Sequence, residues 1–164
     1  FVPHYAPHLH VSSIKMSDSN HIKVEGWPPD HAQKAYDSGF YIEAIQVLHG
    51  YIENKLQELL VLCGATATPP TQMSETWNIA NEIPLNAAVK ALFVIGTISH
   101  NDYTQIRRFN SIRNKLIHRI YLEPYDKVYP GIPGHEYTEA FDAGKALCDD
   151  LDFLSHSLIE PTEC

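Results

Sequence analysis

Arg113 and His118 bound the run Arg113-Asn114-Lys115-Leu116-Ile117-His118, the one short stretch of this chain whose residue types specify a chemistry. Histidine exchanges protons near neutral pH and so serves as a general acid or base. Arginine stays charged, and its planar fork donates paired hydrogen bonds to a phosphate. Arg107, Arg108, Arg113, Lys115 and Arg119 are five of the twelve basic residues, and they fall in one segment. An arginine and a histidine rimmed by further cations make a candidate site for holding or cleaving single-stranded RNA.

The element that must position them is a helix from about Tyr103 to Tyr121. On a wheel of about 100° per residue, Ile106, Phe109, Ile112, Leu116, Ile117 and Ile120 form one apolar stripe. Arg113 falls inside that stripe, whereas Arg107, Ser111, Asn114 and His118 share the polar side. Arg113 and His118 are then about 140° apart in an ideal helix and do not converge on one small ligand. Two readings follow. In one, Arg113 is structural: its stem packs in the core and its guanidinium meets a buried carboxylate, Glu53 being the best candidate, because a buried cation without a partner is very costly. In the other, Arg113 reaches round to the rim where His118 sits, helped by a helix distortion or by a second copy of the helix across a dimer interface.

The rest of the chain has the period of helices. Residues 1–29 form an N-terminal extension, poor in helix signals, in which residues 9–24 read as a short hairpin or an ordered arm. Trp27-Pro28-Pro29-Asp30 is a helix entry. Helical pattern runs from about Asp30 to Cys63, broken near Gly39 and Phe40, with Ile42, Ile45, Leu48, Ile52, Leu56, Leu59 and Leu60 at steps of three and four. Gly64 to Pro70 ends it. A short helix is predicted over 74–82, a stronger one over 86–98 carrying Ala88, Leu92, Val94, Ile95 and Ile98, and a last one over 136–158. Asn101 or Asp102 is the expected cap of the motif helix. Pro124 to Gly134 is a loop. Four to five main helices on short connections predict an all-α antiparallel bundle over residues 30–160.

Composition narrows the classes. The chain has 164 residues, 44% of them hydrophobic and 20% charged, as in a globular protein with one core. Its formal net charge of −8 argues against non-specific coating of duplex nucleic acid but leaves room for a local basic site. No apolar run is long enough for a membrane span, so no membrane partner is expected. Cys63, Cys148 and Cys164 are widely spaced and odd in number, which points to a reducing cytoplasm rather than a disulfide framework. Opening at Phe1, the sequence is also compatible with a trimmed piece of something longer.

The segment Phe109-Asn110-Ser111-Ile112-Arg113-Asn114-Lys115-Leu116-Ile117-His118 resembles the signature helix of the HEPN superfamily, an arginine, a small polar residue, then a histidine after a gap of four to six residues. The run from Gly39 to Leu56 resembles the first long helix of such domains. The resemblance implies a helical bundle that dimerises through facing motif helices. It also implies a metal-independent endoribonuclease, often a toxin or phage-defence effector, with Arg113 and His118 catalytic and Asn114 as the accompanying polar residue. His118 would take the proton of a ribose 2′-hydroxyl or give one to the leaving 5′-oxygen, while Arg113 stabilises charge on the phosphoryl oxygens. Arg107, Arg108 and Arg119 would line the RNA path, and no cofactor is called for. Other members of the superfamily keep the bundle without established nuclease activity, so a non-catalytic dimeric regulator or RNA- or protein-binding module is the alternative. The chain carries no nucleotidyltransferase pattern, so an antitoxin partner of that kind would be a separate protein.

Other candidates weigh less. Tyr121, Tyr125 and Tyr129 follow the motif and could stack on bases, or simply pack on the bundle end. His4, His8 and His10 lie close together without a cysteine or carboxylate beside them, and no metal site is assigned to them. Cys148 has no basic neighbour to activate its thiol. Asp149, Asp150 and Asp152 read as a solvated face.

Overall fold

In the computed structural model, residues 26–65, 69–119 and 130–159 are described. They form an all-α bundle: α1 (Pro28–Asp37), α2 (Tyr41–Ala65), a 3₁₀ turn (Pro70–Gln72), α3 (Met73–Asn81), α4 (Leu85–Val94), α5 (His100–Arg119) and α6 (Gly134–Ile159). The proposed hairpin or arm, the histidines His4, His8 and His10, Cys164, and Tyr121, Tyr125 and Tyr129 lie outside the described residues.

The long helix α2 is the axis of the molecule and touches each of the other five helices. Its stripe explains this role. Ile45, Leu48, Ile52, Leu56 and Leu59 recur at three- and four-residue steps and are all buried. They meet Ile106, Phe109 and Leu116 of α5, Leu85, Ala88, Val89 and Leu92 of α4, and Ala140, Phe141, Leu147, Cys148 and Leu151 of α6 in one core. Each fully buried aliphatic side chain of this kind stabilises the fold by about 1.5–3 kcal/mol relative to exposure. The closest approach is at Gly144 of α6. A Cβ there would stand 2.8 Å from Cε2 of Phe109 and 2.9 Å from Cδ1 of Leu48, so the absence of a side chain lets α6 lie against both neighbours.

Two boundaries differ from the sequence reading. The helix predicted over 86–98 is shorter: α4 stops at Val94, and Val94 and Ile95 are 82% and 57% exposed. Gly96, at φ +79°, turns the chain; its N–H donates to the Phe93 carbonyl at 3.1 Å, and the Thr97 N–H donates to the Leu92 carbonyl at 2.9 Å. This is the glycine-based helix stop, and the buried stripe of α4 consists of Leu85, Ala88, Val89 and Leu92. The cap of α5 is Ser99 rather than Asn101 or Asp102. The Asp102 N–H donates to Ser99 Oγ at 3.2 Å, and the Ser99 N–H donates back to Asp102 Oδ2 at 2.9 Å. Asp102 is thus the returning half of a capping box, which starts the motif helix three residues earlier than periodicity alone implies.

Candidate functional site

The site lies where α5 crosses α2 and α4. Asn110, Arg113 and Asn114 occupy one edge of α5 at positions i, i+3 and i+4, and Gln46, His49 and Glu53 occupy one edge of α2 at steps of three and four. Each group borders the apolar stripe of its helix, so both edges are half in and half out of the core.

Arg113 is half-buried, as its place in the stripe requires. Its partner is not Glu53. The guanidinium donates from Nε and Nη2 to Oε1 of Gln46, at 3.1 and 2.6 Å, and from Nη1 to Oδ1 of Asn114 at 2.7 Å. Glu53 is engaged elsewhere for a local reason. Helix α4 follows Pro84, which has no side-chain cap to offer, and Glu53 Oε1 accepts the Leu85 N–H at 2.7 Å. A carboxylate at that position satisfies an otherwise open helix donor and complements the helix dipole. Among the described residues no carboxylate forms an ion pair with Arg113. The guanidinium is therefore oriented by two neutral amides, which take three of its five N–H donors without cancelling its charge.

His118 is exposed and does not join this network, in keeping with the wide angle between the two motif residues. Asn114 holds Arg113. Arg107 donates to the Tyr103 hydroxyl at 3.0 Å and lies over that ring. Arg108 pairs with Glu139 at 3.7 Å, and Lys115 and Arg119 pair with Glu136 at 3.4 and 3.6 Å. Three of the four rim cations are thus turned towards acidic residues of α6, in pairs of the partly exposed, weakly bonded kind.

Four members of the site were given no site role in the sequence reading: Gln46, His49, Asn86 and Asn110. His49 is half-buried beside Arg113, its ring 6.5 Å from that of Phe109. Burial, and then the Arg113 charge, hold its pKa below the ordinary histidine value; Glu53 and a hydrogen bond with the Asn110 side chain oppose this. Asn110 is buried and donates from Nδ2 to Oδ1 of Asn86 at 3.0 Å. The signal for these residues was available as a polar ladder, Gln46-His49-Glu53, running beside the apolar ladder Ile45-Leu48-Ile52.

The other polar cluster of the bundle is structural. The Tyr51 hydroxyl donates to Asp152 at 2.7 Å, accepts from Trp27 Nε1 at 3.1 Å, and has its pKa pushed up to about 12 by burial and by Asp152. The Cys148 thiol is likewise raised to about 12 by burial, with Asp152 and Asp149 adding to it, which leaves it protonated and inert. No helix among the described residues is long and apolar enough to cross a membrane. No family model, curated protein or solved structure matches this chain.

Proposed function

We propose that this chain is a HEPN-like RNA-directed bundle in which Arg113 anchors phosphate and His118 transfers a proton, so that RNA is cleaved without a metal. The observation that supports the reading is the uncancelled charge of Arg113, held in place by Gln46 and Asn114. An arginine kept only for packing is best served by a carboxylate, whereas one aimed at an incoming anion is best served by neutral acceptors. Arg107, Arg108 and Arg119 widen the positive rim, and the exposed ion pair of Arg108 with Glu139 is weak enough to exchange for phosphate. Since Arg113 and His118 of one protomer face apart, a homodimer through α5 supplies the missing pairing. A toxin or phage-defence setting, with a separate antitoxin or nucleotidyltransferase, fits such an activity.

The second reading is a non-catalytic dimeric module for RNA or protein. It is favoured by the exposure of His118 away from the Arg113 network. The test is cleavage of mixed single-stranded RNA with chelator present, comparing wild type, Arg113→Lys and His118→Ala, with thermal melting in parallel. His118→Ala is expected to keep its stability within about 0.5 kcal/mol, because the residue is exposed, and to lose cleavage. Arg113→Lys keeps the charge but loses the fork and is expected to cleave slowly. Wild type without cleavage sinks the ribonuclease reading in favour of the module.

A further inference from the structure

His49 has three properties that a packing histidine does not need together. It lies one turn along α2 from Gln46, which holds the Arg113 guanidinium, and its ring is 6.5 Å from that of Phe109, one turn before Arg113 on α5. Its hydrogen-bond partner, Asn110, is 7% exposed and donates one amide N–H to Asn86, and because its bond with His49 favours the charged imidazole, the ring donates and Asn110 Oδ1 accepts. That bond fixes the tautomer, with one ring nitrogen donating to Asn110 and the other left as an acceptor. Finally, the ring is half-buried rather than sealed in the core.

We propose that His49 and Arg113 of one protomer form a single site for a phosphate ester, with Arg113 binding the anion and the unoccupied ring nitrogen of His49 exchanging a proton with it. The inference rests on the reading of Arg113 as a phosphate anchor and deepens it. On RNA, the 2′-hydroxyl gives its proton to His49, the 2′-oxygen bonds to phosphorus, and the bond from phosphorus to the 5′-oxygen breaks. The 5′-oxygen leaves with a proton from water or from His118. The products are a 2′,3′-cyclic phosphate and a 5′-hydroxyl, and no electron acceptor or metal is consumed. The charges that bear on His49 are Arg113 from α5 and Glu53 from its own helix, while α4 contributes the neutral Asn86 through Asn110. Burial and Arg113 keep the imidazole unprotonated, as a base must be, and a bound phosphate shields it from Arg113 and draws its pKa back towards neutrality.

The experiment is an NMR titration of every histidine in the full chain, with and without a 2′-O-methyl single-stranded RNA octamer, which cannot be cleaved. His49 is expected to titrate below the ordinary range when free and at a higher pH with the octamer, and this shift is expected to vanish in Arg113→Lys. A His49 midpoint unmoved by the octamer overturns the inference, whether or not the octamer binds elsewhere. Cleavage of ordinary RNA adds a second arm. His49→Gln, shown folded by melting, is expected to lose about 100-fold or more of the rate and the acid limb of its pH profile. Undiminished cleavage by His49→Gln overturns the catalytic role. A wild type that shifts His49 yet never cleaves sinks the ribonuclease reading alone and leaves the proton-linked phosphate site standing.

Discussion

Arg113 shows how a single side chain settles between two demands. Its stem belongs to the apolar stripe, and its charge must still be satisfied. Gln46 meets both needs, since one amide oxygen accepts two of its hydrogen bonds. Replacing Gln46 by leucine keeps the volume of the contact but leaves the guanidinium with Asn114 alone, so Gln46→Leu is expected to cost about 1–3 kcal/mol in urea denaturation. Neither a loss of that size nor a specific role for Gln46 holds if the variant unfolds at the wild-type midpoint. His49 yields a second expectation. The folded chain binds its proton less readily than the unfolded chain does, so stability contributed by neutral His49 is present above the ordinary histidine value and is lost as pH falls through the lowered folded value. Between roughly pH 7 and pH 5, wild type is expected to lose more melting temperature than His49→Gln, the carboxylates being common to both. The angular argument made the conflict at Arg113 legible in the sequence, but not its resolution. Glu53 looked the better partner because charge complementarity is visible in a sequence, while the demand of Pro84 for a helix cap arises only when α4 is laid against α2.

At the scale of elements, periodicity located the helices and the turns located their ends. Ile45, Leu48, Ile52, Leu56 and Leu59 drew α2 because one strong stripe faces one core. The reading ran α4 on to Ile98, past Val94, because apolar type was weighed and the glycine at 96 was not. It also placed the α5 start late, since the reciprocal bonds of Ser99 and Asp102 need both residues read as a pair. Two glycines inside helices make a matched test of packing against propensity. Gly50 of α2 is exposed with open space around it, so Gly50→Ala is expected to stabilise by about 0.5–1 kcal/mol. Gly144→Ala gains the same propensity but forces the Phe109 ring and Leu48 aside, which costs about 1–3 kcal/mol, for a net loss against the Gly50 variant. Calorimetric melting of the two variants side by side decides it; equal shifts of the same sign would show that α6 can move away.

For the whole molecule, the exposed apolar residues are informative. Phe93, Val94 and Ile95 end α4 beside the start of α5, and Phe93 stacks on Tyr103 at 4.7 Å between ring centroids. An apolar patch of this kind marks a surface for interaction, and the proposed dimer through α5 would have it close by. Light scattering at tens of micromolar, on the order of ordinary dimer affinities, is expected to give twice the monomer mass, and Val94→Glu is expected to reduce it; a monomer at that concentration counts against both the dimer and the pairing of Arg113 with a second copy's His118. The contact at Gly144 has a consequence for control. Phe109 stands one turn before Arg113, and its ring is lodged against the backbone of α6 with no side chain between them. Sliding α5 by a turn, about 5.4 Å, or rolling it, would drive that ring into a neighbouring main chain. The helix is fixed at the base of the site, and the hydrogen bonds of Gln46 and Asn114 hold the Arg113 tip above it. Control of this site by covering it is therefore compatible with the packing, whereas a piston-like shift of α5 works against the contact at Gly144.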